Sequence, residues 1–174
     1  MSNWNKIFKP IVVLCAICVV ITGALAATNG VTAPIIEEAT RVAQEKARKE
    51  LIPEATSFEA VEGIAVENVS DIYLADNGEA VITCHGKGYG GNITVMVAFT
   101  TDATIKQIKI TEQAETAGLG SKIQSEASFA DSFAGLPAAD FTVSDIAAIS
   151  GATISSKAVT AAVNAAIDAY ALIP

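Results

Sequence analysis

Residues 72–84 read IYLADNGEAVITC, and residues 92–99 read NITVMVAF. In the first stretch, an Asn-Gly pair at positions 77 and 78 separates two runs of apolar and β-branched residues. Asn-Gly is the strongest short-range signal for a β-hairpin, because both residues tolerate a positive φ angle. The second stretch alternates cleanly, which places Ile93, Val95, Val97 and Phe99 on one side of a strand. Together the two stretches predict adjacent antiparallel strands.

The sequence that follows predicts one more strand and a terminal helix. After a turn at residues 101–102, isoleucines at 105, 108 and 110 indicate a strand with a local bulge. Residues 116–140 mix Gly, Ser, Ala and Phe, which predicts loops and short helices. Residues 155–172 carry apolar side chains at helical spacing and predict an amphipathic helix packed on the sheet: Val159, Ala162, Val163, Ala166, Ile167 and Tyr170. Strands followed by helices, without βαβ alternation, predict an α+β fold with a mostly antiparallel sheet and flanking helices.

An uncharged, apolar run from Ile11 to Ala27 precedes this domain. At ~1.5 Å per residue, such a run with its flanks crosses a hydrocarbon core of ~30 Å. Lys6 and Lys9 stand before it, so the positive-inside tendency predicts a cytoplasmic N-terminus and an exported remainder. The alternative is a cleaved signal peptide, because residues 24–26 (Ala-Leu-Ala) resemble a processing site.

The predicted organisation has four parts. Residues 1–9 form a cytoplasmic N-terminus, 10–28 a transmembrane helix, 29–52 a juxtamembrane helix and 53–174 the exported domain. A short break is expected at residues 29–34, where Gly30 and Pro34 occur, before a charged helix that ends ahead of Pro53.

Composition excludes several classes of function. A net charge of −8 and a pI near 4.6 argue against nucleic-acid binding, which requires clustered Lys and Arg. Three cysteines, two of them inside the apolar run, build neither a disulfide framework nor a zinc site. His85 is the only histidine, and the chain has no Gly-x-Ser-x-Gly, Walker or dinucleotide fingerprint. A hydrolase is therefore disfavoured.

The segment that carries chemistry is residues 149–156, ISGATISS, directly before the terminal helix. The unpaired amides and positive dipole end of a helix N-terminus attract an anion. Gly151 and Ala152 let a bulky group approach the backbone, Thr153 supplies a hydroxyl, and Ser155 or Ser156 can cap or hydrogen-bond. From these residues alone, an ordinary capping turn is the alternative.

Residues 150–153, Ser-Gly-Ala-Thr, resemble the flavinylation motif of FMN-binding domains in the Rnf electron-transport complex (its G subunit) and in the sodium-translocating NADH:quinone reductase (its C subunit). The resemblance implies that the Thr153 hydroxyl is joined to the phosphate of FMN as a phosphodiester, with Ser150, Gly151 and Ala152 beside it. It also implies that a separate flavin transferase installs the group from FAD with magnesium.

Two further segments resemble the same family. Residues 115–120, ETAGLG, are similar to its Glu-Thr-Pro-Gly-Leu-Gly loop, with Ala117 in place of proline, and residues 88–91, GYGG, are similar to its glycine-rich approach to the sheet. The resemblance implies that these segments lie near the flavin, through Glu115, Thr116, Gly118, Leu119, Gly120, Tyr89 and Gly90, with Lys122 as a further candidate. The glycines could instead serve turns that need positive φ, and Tyr89 could be a core aromatic.

One position departs from the family motif. The motif usually has Asp three residues before the serine, where this chain has Ala147, and Asp145 lies two residues earlier. This departure bears on how well a transferase would recognise the chain, and Asp145 is the residue that could substitute through a shifted turn.

Taken over nearly the whole chain, the resemblance implies a membrane-anchored electron carrier that is not catalytic alone. Its partners would be the other membrane and peripheral Rnf subunits, in a complex that couples ferredoxin and NAD⁺ redox chemistry to Na⁺ or H⁺ movement at the cell membrane. Two alternatives stay open: a flavin domain of another extracellular electron-transfer system, and a non-catalytic exported binding domain.

Overall fold

The computed structural model describes residues 8–173. Helix α1, Lys9–Leu51, is long and apolar enough to cross a membrane. The chain divides into two compact units between Ala43 and Gln44. The predicted cytoplasmic segment, residues 1–9, lies mostly outside the described residues.

Helix α1 runs without interruption through the region where a break was predicted, so that prediction is wrong. Pro34 removes a single backbone hydrogen bond, the one its missing amide would have donated to the carbonyl of Gly30. In the turns before it, Thr28 Oγ1 donates to Ala24 O at 2.9 Å and Thr32 Oγ1 donates to Thr28 O at 3.0 Å. These are the i→i−4 bonds that a threonine makes inside a helix.

The second unit contains a five-stranded antiparallel sheet in which each strand pairs with the next along the chain. The strands are β1 (Phe58–Ala60), β2 (Val69–Ala75), β3 (Ala80–Lys87), β4 (Asn92–Phe99) and β5 (Ile105–Glu112). The α+β fold and the predicted bulge are confirmed: Phe99 pairs with Ile105 and Ala98 with Gln107, which leaves Lys106 as the extra residue. Strand β1 was not predicted, because three residues are too few to show a period.

Two short helices follow the sheet, α2 (Lys122–Ser125) and α3 (Ala127–Asp131). Residues 143–145 then form a turn of 3₁₀-helix, and the chain continues into the long helix α4 (Thr153–Tyr170). The short helices confirm the prediction made from composition, and the terminal helix confirms the one made from periodicity, with α4 beginning two residues earlier than predicted. That two-residue difference makes Thr153 the first residue of the helix.

Strand β4 shows how both faces of the sheet are covered. Its predicted apolar side packs in the larger core cluster, which includes the buried face of α4. The opposite side, with Met96 and Ala98, packs against Ala47 and Leu51 from the last turns of α1. These turns belong to the second compact unit, where the Arg48 guanidinium also lies 4.0 Å from the centre of the Tyr73 ring.

Candidate functional site

The N-terminus of α4 is built to leave amides free. Gly151 adopts a φ of +83°, a left-handed conformation that favours glycine, and Ala152 precedes the helix without a side-chain cap. Within the described part of the chain, the amides of Thr153, Ile154 and Ser155 have no hydrogen-bond acceptor, whereas the Ser156 amide bonds to Ala152 O at 2.9 Å. The helix therefore offers three donors and its positive dipole end to an anion.

A cavity of about 390 Å³ opens beside this helix end. Three separate segments line it: the glycine-rich turn between β3 and β4, the loop after β5, and the start of α4. The lining residues are Tyr89, Glu115, Thr116, Leu119, Gly120, Gly151, Ala152, Thr153, Ile154 and Ser155. The volume lies within the ~300–1,000 Å³ range of small-molecule sites.

Three of the residues that line the cavity are exposed and carry a hydroxyl group, namely Tyr89, Thr116 and Thr153, and that of Thr153 is the one at the N-terminus of α4. It makes no hydrogen bond to any described residue. Ser155 is buried and donates to Glu115 Oε2, and Ser156 Oγ is buried and accepts from the Ile149 amide at 3.2 Å. Ser150 is exposed but lies outside the lining. Of the hydroxyl groups in residues 150–156, that of Thr153 is therefore the one that is exposed, lines the cavity and has no hydrogen-bond partner among the described residues.

The Glu115 carboxylate connects the three lining segments. It is 9% exposed, and its Oε1 accepts from the Gly90 amide at 2.8 Å while its Oε2 accepts from the Ser155 hydroxyl. Among residues 8–173 it forms no ion pair. Glu115 thus lies in the wall of the cavity and links the turn at Gly90 to the start of α4 through hydrogen bonds.

Most glycines around the cavity are required because another segment packs closely against their Cα atom, and fewer are required for a positive φ angle. Gly88, Gly90 and Gly120 all lack a positive φ. A Cβ on Gly90 would lie 2.0 Å from Ala114 O, and one on Gly120 would lie 2.8 Å from Glu115 Oε2. Of the glycines proposed for the site, Gly118 and Gly151 are the two with positive φ.

The rim of the cavity is apolar and open to solvent. Tyr89 is 77% exposed, Ile154 55% and Leu119 48%, so the core-aromatic alternative for Tyr89 is wrong. Ile154 was not predicted from the sequence. It could have been noticed as a large apolar residue at the second position of the last helix, on the side that faces solvent. These three side chains give the cavity surfaces suited to a flat, largely apolar ring.

Several residues singled out from the sequence do not line the cavity: Ser150, Ser156, Gly90, Gly118 and Lys122. Lys122 instead lies 3.7 Å from Glu126 in an exposed i,i+4 pair.

The carboxylate of Asp145 is engaged locally. Its Oδ2 accepts from the Thr142 amide at 2.7 Å and from the Thr142 hydroxyl at 2.8 Å. These hydrogen bonds, that of the backbone amide first, lower the pKa of Asp145 below its ordinary value. The carboxylate thus caps its own 3₁₀ turn. Ala147 is exposed between that turn and the site.

Comparison with known proteins agrees with this geometry. The FMN-binding domain family matches residues 88–168, and the RnfG N-terminal region family matches residues 1–51. The chain is 35% identical over 195 aligned residues to the G subunit of the Na⁺-translocating ferredoxin:NAD⁺ oxidoreductase complex of Acetobacterium woodii, covering 97% of this chain and 93% of that protein. It is 32% identical to the G subunit of the ion-translocating oxidoreductase complex of Methanosarcina acetivorans, covering 97% and 96%.

A third relative is the G subunit of the proton-translocating ferredoxin:NAD⁺ oxidoreductase complex of Clostridium ljungdahlii, 33% identical over 96% of this chain and 93% of that protein. Each of the three segments that bear the resemblance contributes residues to one cavity, and the similarity extends over nearly the full length of each relative. The chain therefore belongs to the G-subunit family of ion-translocating (Rnf) oxidoreductase complexes, with an FMN-binding domain that follows an apolar N-terminal helix.

Proposed function

We propose that this protein carries FMN on the Thr153 hydroxyl and serves as an electron carrier in an ion-translocating ferredoxin:NAD⁺ oxidoreductase complex. One observation carries the proposal: Thr153 presents an exposed, unbonded hydroxyl to a cavity at the N-terminus of α4. The relatives are named for both Na⁺ and H⁺ translocation, so the proposal names the complex and leaves the ion to experiment.

The attachment is a phosphoryl-group transfer that balances without a redox step. The Thr153 oxygen forms a bond to the phosphorus on the riboflavin side of FAD, the bond between the two phosphates breaks, and AMP leaves. The hydroxyl proton is released. A flavin transferase with magnesium would supply the base and the metal, because within the described residues no base contacts the hydroxyl.

The residues of the cavity fit the attached group. A phosphodiester keeps one negative charge, and the free amides and dipole of α4 would stabilise it by about 0.3–1 kcal/mol in an exposed setting. Gly151 leaves the approach to the helix open, and the side chains of Tyr89, Leu119 and Ile154 provide apolar surface for the ring. Bound FMN would supply reversible uptake and release of electrons.

The proposed partners come from the names of the relatives, which are G subunits of ion-translocating oxidoreductase complexes. The other membrane and peripheral subunits would donate and accept the electrons. An anchoring helix confines the domain near them and raises its effective concentration. A covalent link also retains the flavin where free flavin would be lost by diffusion.

The test of the attachment compares Thr153→Ala with Thr101→Ala, a matched change at an exposed threonine in the turn between β4 and β5. Each chain is produced together with a flavin transferase and run on a denaturing gel. Flavin fluorescence should accompany the wild type and Thr101→Ala and be absent from Thr153→Ala. Fluorescence that stays with the Thr153→Ala band rules out this site.

The proposed orientation places the domain outside the cytoplasm of the cell. A cysteine at Asn77, in the exposed turn between β2 and β3, should react with a membrane-impermeant maleimide in intact cells. The wild type is the control, because Cys84 is buried and Cys15 and Cys18 lie in the apolar part of α1. Labelling of the new cysteine only after permeabilisation would reverse the orientation.

A further inference from the structure

We propose that Glu115 is a positioning residue, which clasps the glycine-rich turn between β3 and β4 to the N-terminus of α4 and fixes a negative charge in the wall of the cavity. Its effect on bound flavin rests on the function proposed above. The clasp itself is a property of the protein alone.

The contacts of Glu115 span the chain. One carboxylate oxygen accepts from the Gly90 amide, 25 residues earlier, and the other accepts from the Ser155 hydroxyl, 40 residues later. Gly90 belongs to the turn that carries Tyr89, and Ser155 lies two residues after Thr153. A single side chain therefore sets the separation between the aromatic rim and the attachment residue.

The neighbouring backbone makes room for this carboxylate. A Cβ on Gly88 would lie 2.4 Å from Glu115 Oε1, and a Cβ on Gly120 would lie 2.8 Å from Oε2 and 2.9 Å from Ser155 Oγ. Neither glycine has a positive φ, so conformation does not require a glycine at either position. The two glycines keep clear the space that the carboxylate and its hydroxyl partner occupy.

The charge of Glu115 has no cation beside it among the described residues. Each of its oxygens has a hydrogen-bond donor beside it, the Gly90 amide at Oε1 and the Ser155 hydroxyl at Oε2. A buried negative charge on the cavity wall opposes the addition of electrons to a group held there. Removing that charge should make a bound flavin easier to reduce.

Three substitutions separate the clasp from the charge. Glu115→Gln keeps the shape, and its amide can accept from the Gly90 amide and donate to Ser155 Oγ, so it removes only the charge. Glu115→Ala removes both hydrogen bonds. Glu112→Gln removes the same charge from an exposed side chain three residues away and serves as the control.

The clasp is measured by amide hydrogen exchange in the full-length chain in detergent, without flavin. In Glu115→Ala the Gly90 amide should exchange about tenfold faster or more, while Val97 in the middle of β4 stays protected. Glu115→Gln should leave Gly90 near the wild-type rate. Wild-type exchange at Gly90 in Glu115→Ala overturns the clasp. If Glu115→Ala loses protection throughout β4, Glu115→Leu takes its place, because it fills similar space without an acceptor for the Gly90 amide, and an unchanged Gly90 rate there overturns the clasp as well.

The charge is measured on flavin-loaded chains by reductive titration and by visible circular dichroism. Glu115→Gln should raise the midpoint potential above that of Glu112→Gln and keep the wild-type dichroism, whereas Glu115→Ala should lose the dichroism. Equal potentials in the two glutamine variants overturn the effect of the charge. If the wild-type chain carries no flavin, the function proposed above is wrong. The clasp can still be tested in that case, because the exchange rate of the Gly90 amide is measured without flavin.

Discussion

Two glycine-containing turns join consecutive strands of the same sheet, and they use glycine for different reasons. In the turn between β2 and β3, the Gly78 amide donates to Ala75 O at 2.9 Å, and Gly78 has a φ of +83°. In the turn between β3 and β4, the Gly88 amide donates to Gly91 O at 2.9 Å, and no residue from 88 to 91 has a positive φ. The first turn needs glycine for its backbone conformation, and the second needs it for space.

The turn between β2 and β3 only connects two strands, whereas the turn between β3 and β4 also forms part of the candidate site. A Cβ at Gly78 would meet only the end of the Thr101 side chain, at 3.2 Å. A Cβ at Gly90 would meet the carbonyl of Ala114, in the segment that leads into the cavity. Of these two turns, the one whose glycine has an ordinary φ and lies against another backbone segment is therefore the one that borders the cavity.

The largest effect is expected from Gly90→Ala. Its Cβ would lie 2.0 Å from Ala114 O, a backbone atom that cannot rotate away, so the turn must move off the loop that carries Glu115. We expect a loss of about 3 kcal/mol or more in the free energy of unfolding and the loss of the visible dichroism of the flavin. Denaturant titration and spectra measure the two effects.

The matched control is Gly91→Ala, whose Cβ would make an ordinary 3.5 Å contact with the Ala114 side chain. It should remain close to the wild type in both measurements. Equal losses in the two variants would show that the turn requires glycine throughout, and the comparison between the turns would fail.

A smaller effect is expected from Gly78→Ala, which forces a side chain into the left-handed region. The cost should be about 1–2 kcal/mol in the free energy of unfolding, with no change in flavin content or dichroism. Gly78→Asn should recover part of the loss, because asparagine tolerates this conformation. A change in the flavin spectrum of Gly78→Ala would contradict the assignment of this turn to the hairpin alone.

The smallest effect is a pH dependence of stability at Asp76, in the turn of the same hairpin. The carboxyl group of Asp76 accepts hydrogen bonds from the Thr56 hydroxyl and the Thr56 amide. These bonds, that of the hydroxyl first, hold the pKa of Asp76 below its ordinary value of 3.8. The stabilisation is therefore present above pH 3.8 and is lost as the pH falls through the lowered pKa. Asp76→Asn should lower the Tm slightly at pH 7, and the gap should close in acid. A gap that persists unchanged at low pH would contradict this origin.

Sequence periodicity predicted the parts of the fold that local patterns determine. The alternation of β4 and the spacing of α4 are repeated over enough residues to be read directly, and both are confirmed. Strand β1 is too short to show a period. Gly30 and Pro34 predicted a break that α1 does not have, because local composition does not reveal whether a helix continues past a proline.

The sequence predicted which segments form the candidate site, but it did not predict what each residue in those segments contacts. The motif at residues 150–153 and the loops at 88–91 and 115–120 do meet at one cavity. Whether a glycine serves a positive φ or a close approach depends on which segment packs against it, and that segment is distant in sequence. For the same reason, neither the clasp of Glu115 nor the exposed position of Ile154 could be derived from local pattern.

The central claim is that the Thr153 oxygen carries the flavin phosphate. The most direct measurement is mass spectrometry of the tryptic peptide 123–157 from the full-length chain produced with an active flavin transferase; this peptide contains Thr153 together with Ser150, Ser155 and Ser156. The account predicts one added FMN less one water, with fragment ions that assign it to Thr153. An unmodified peptide, or an adduct on any of the three serines, would contradict it.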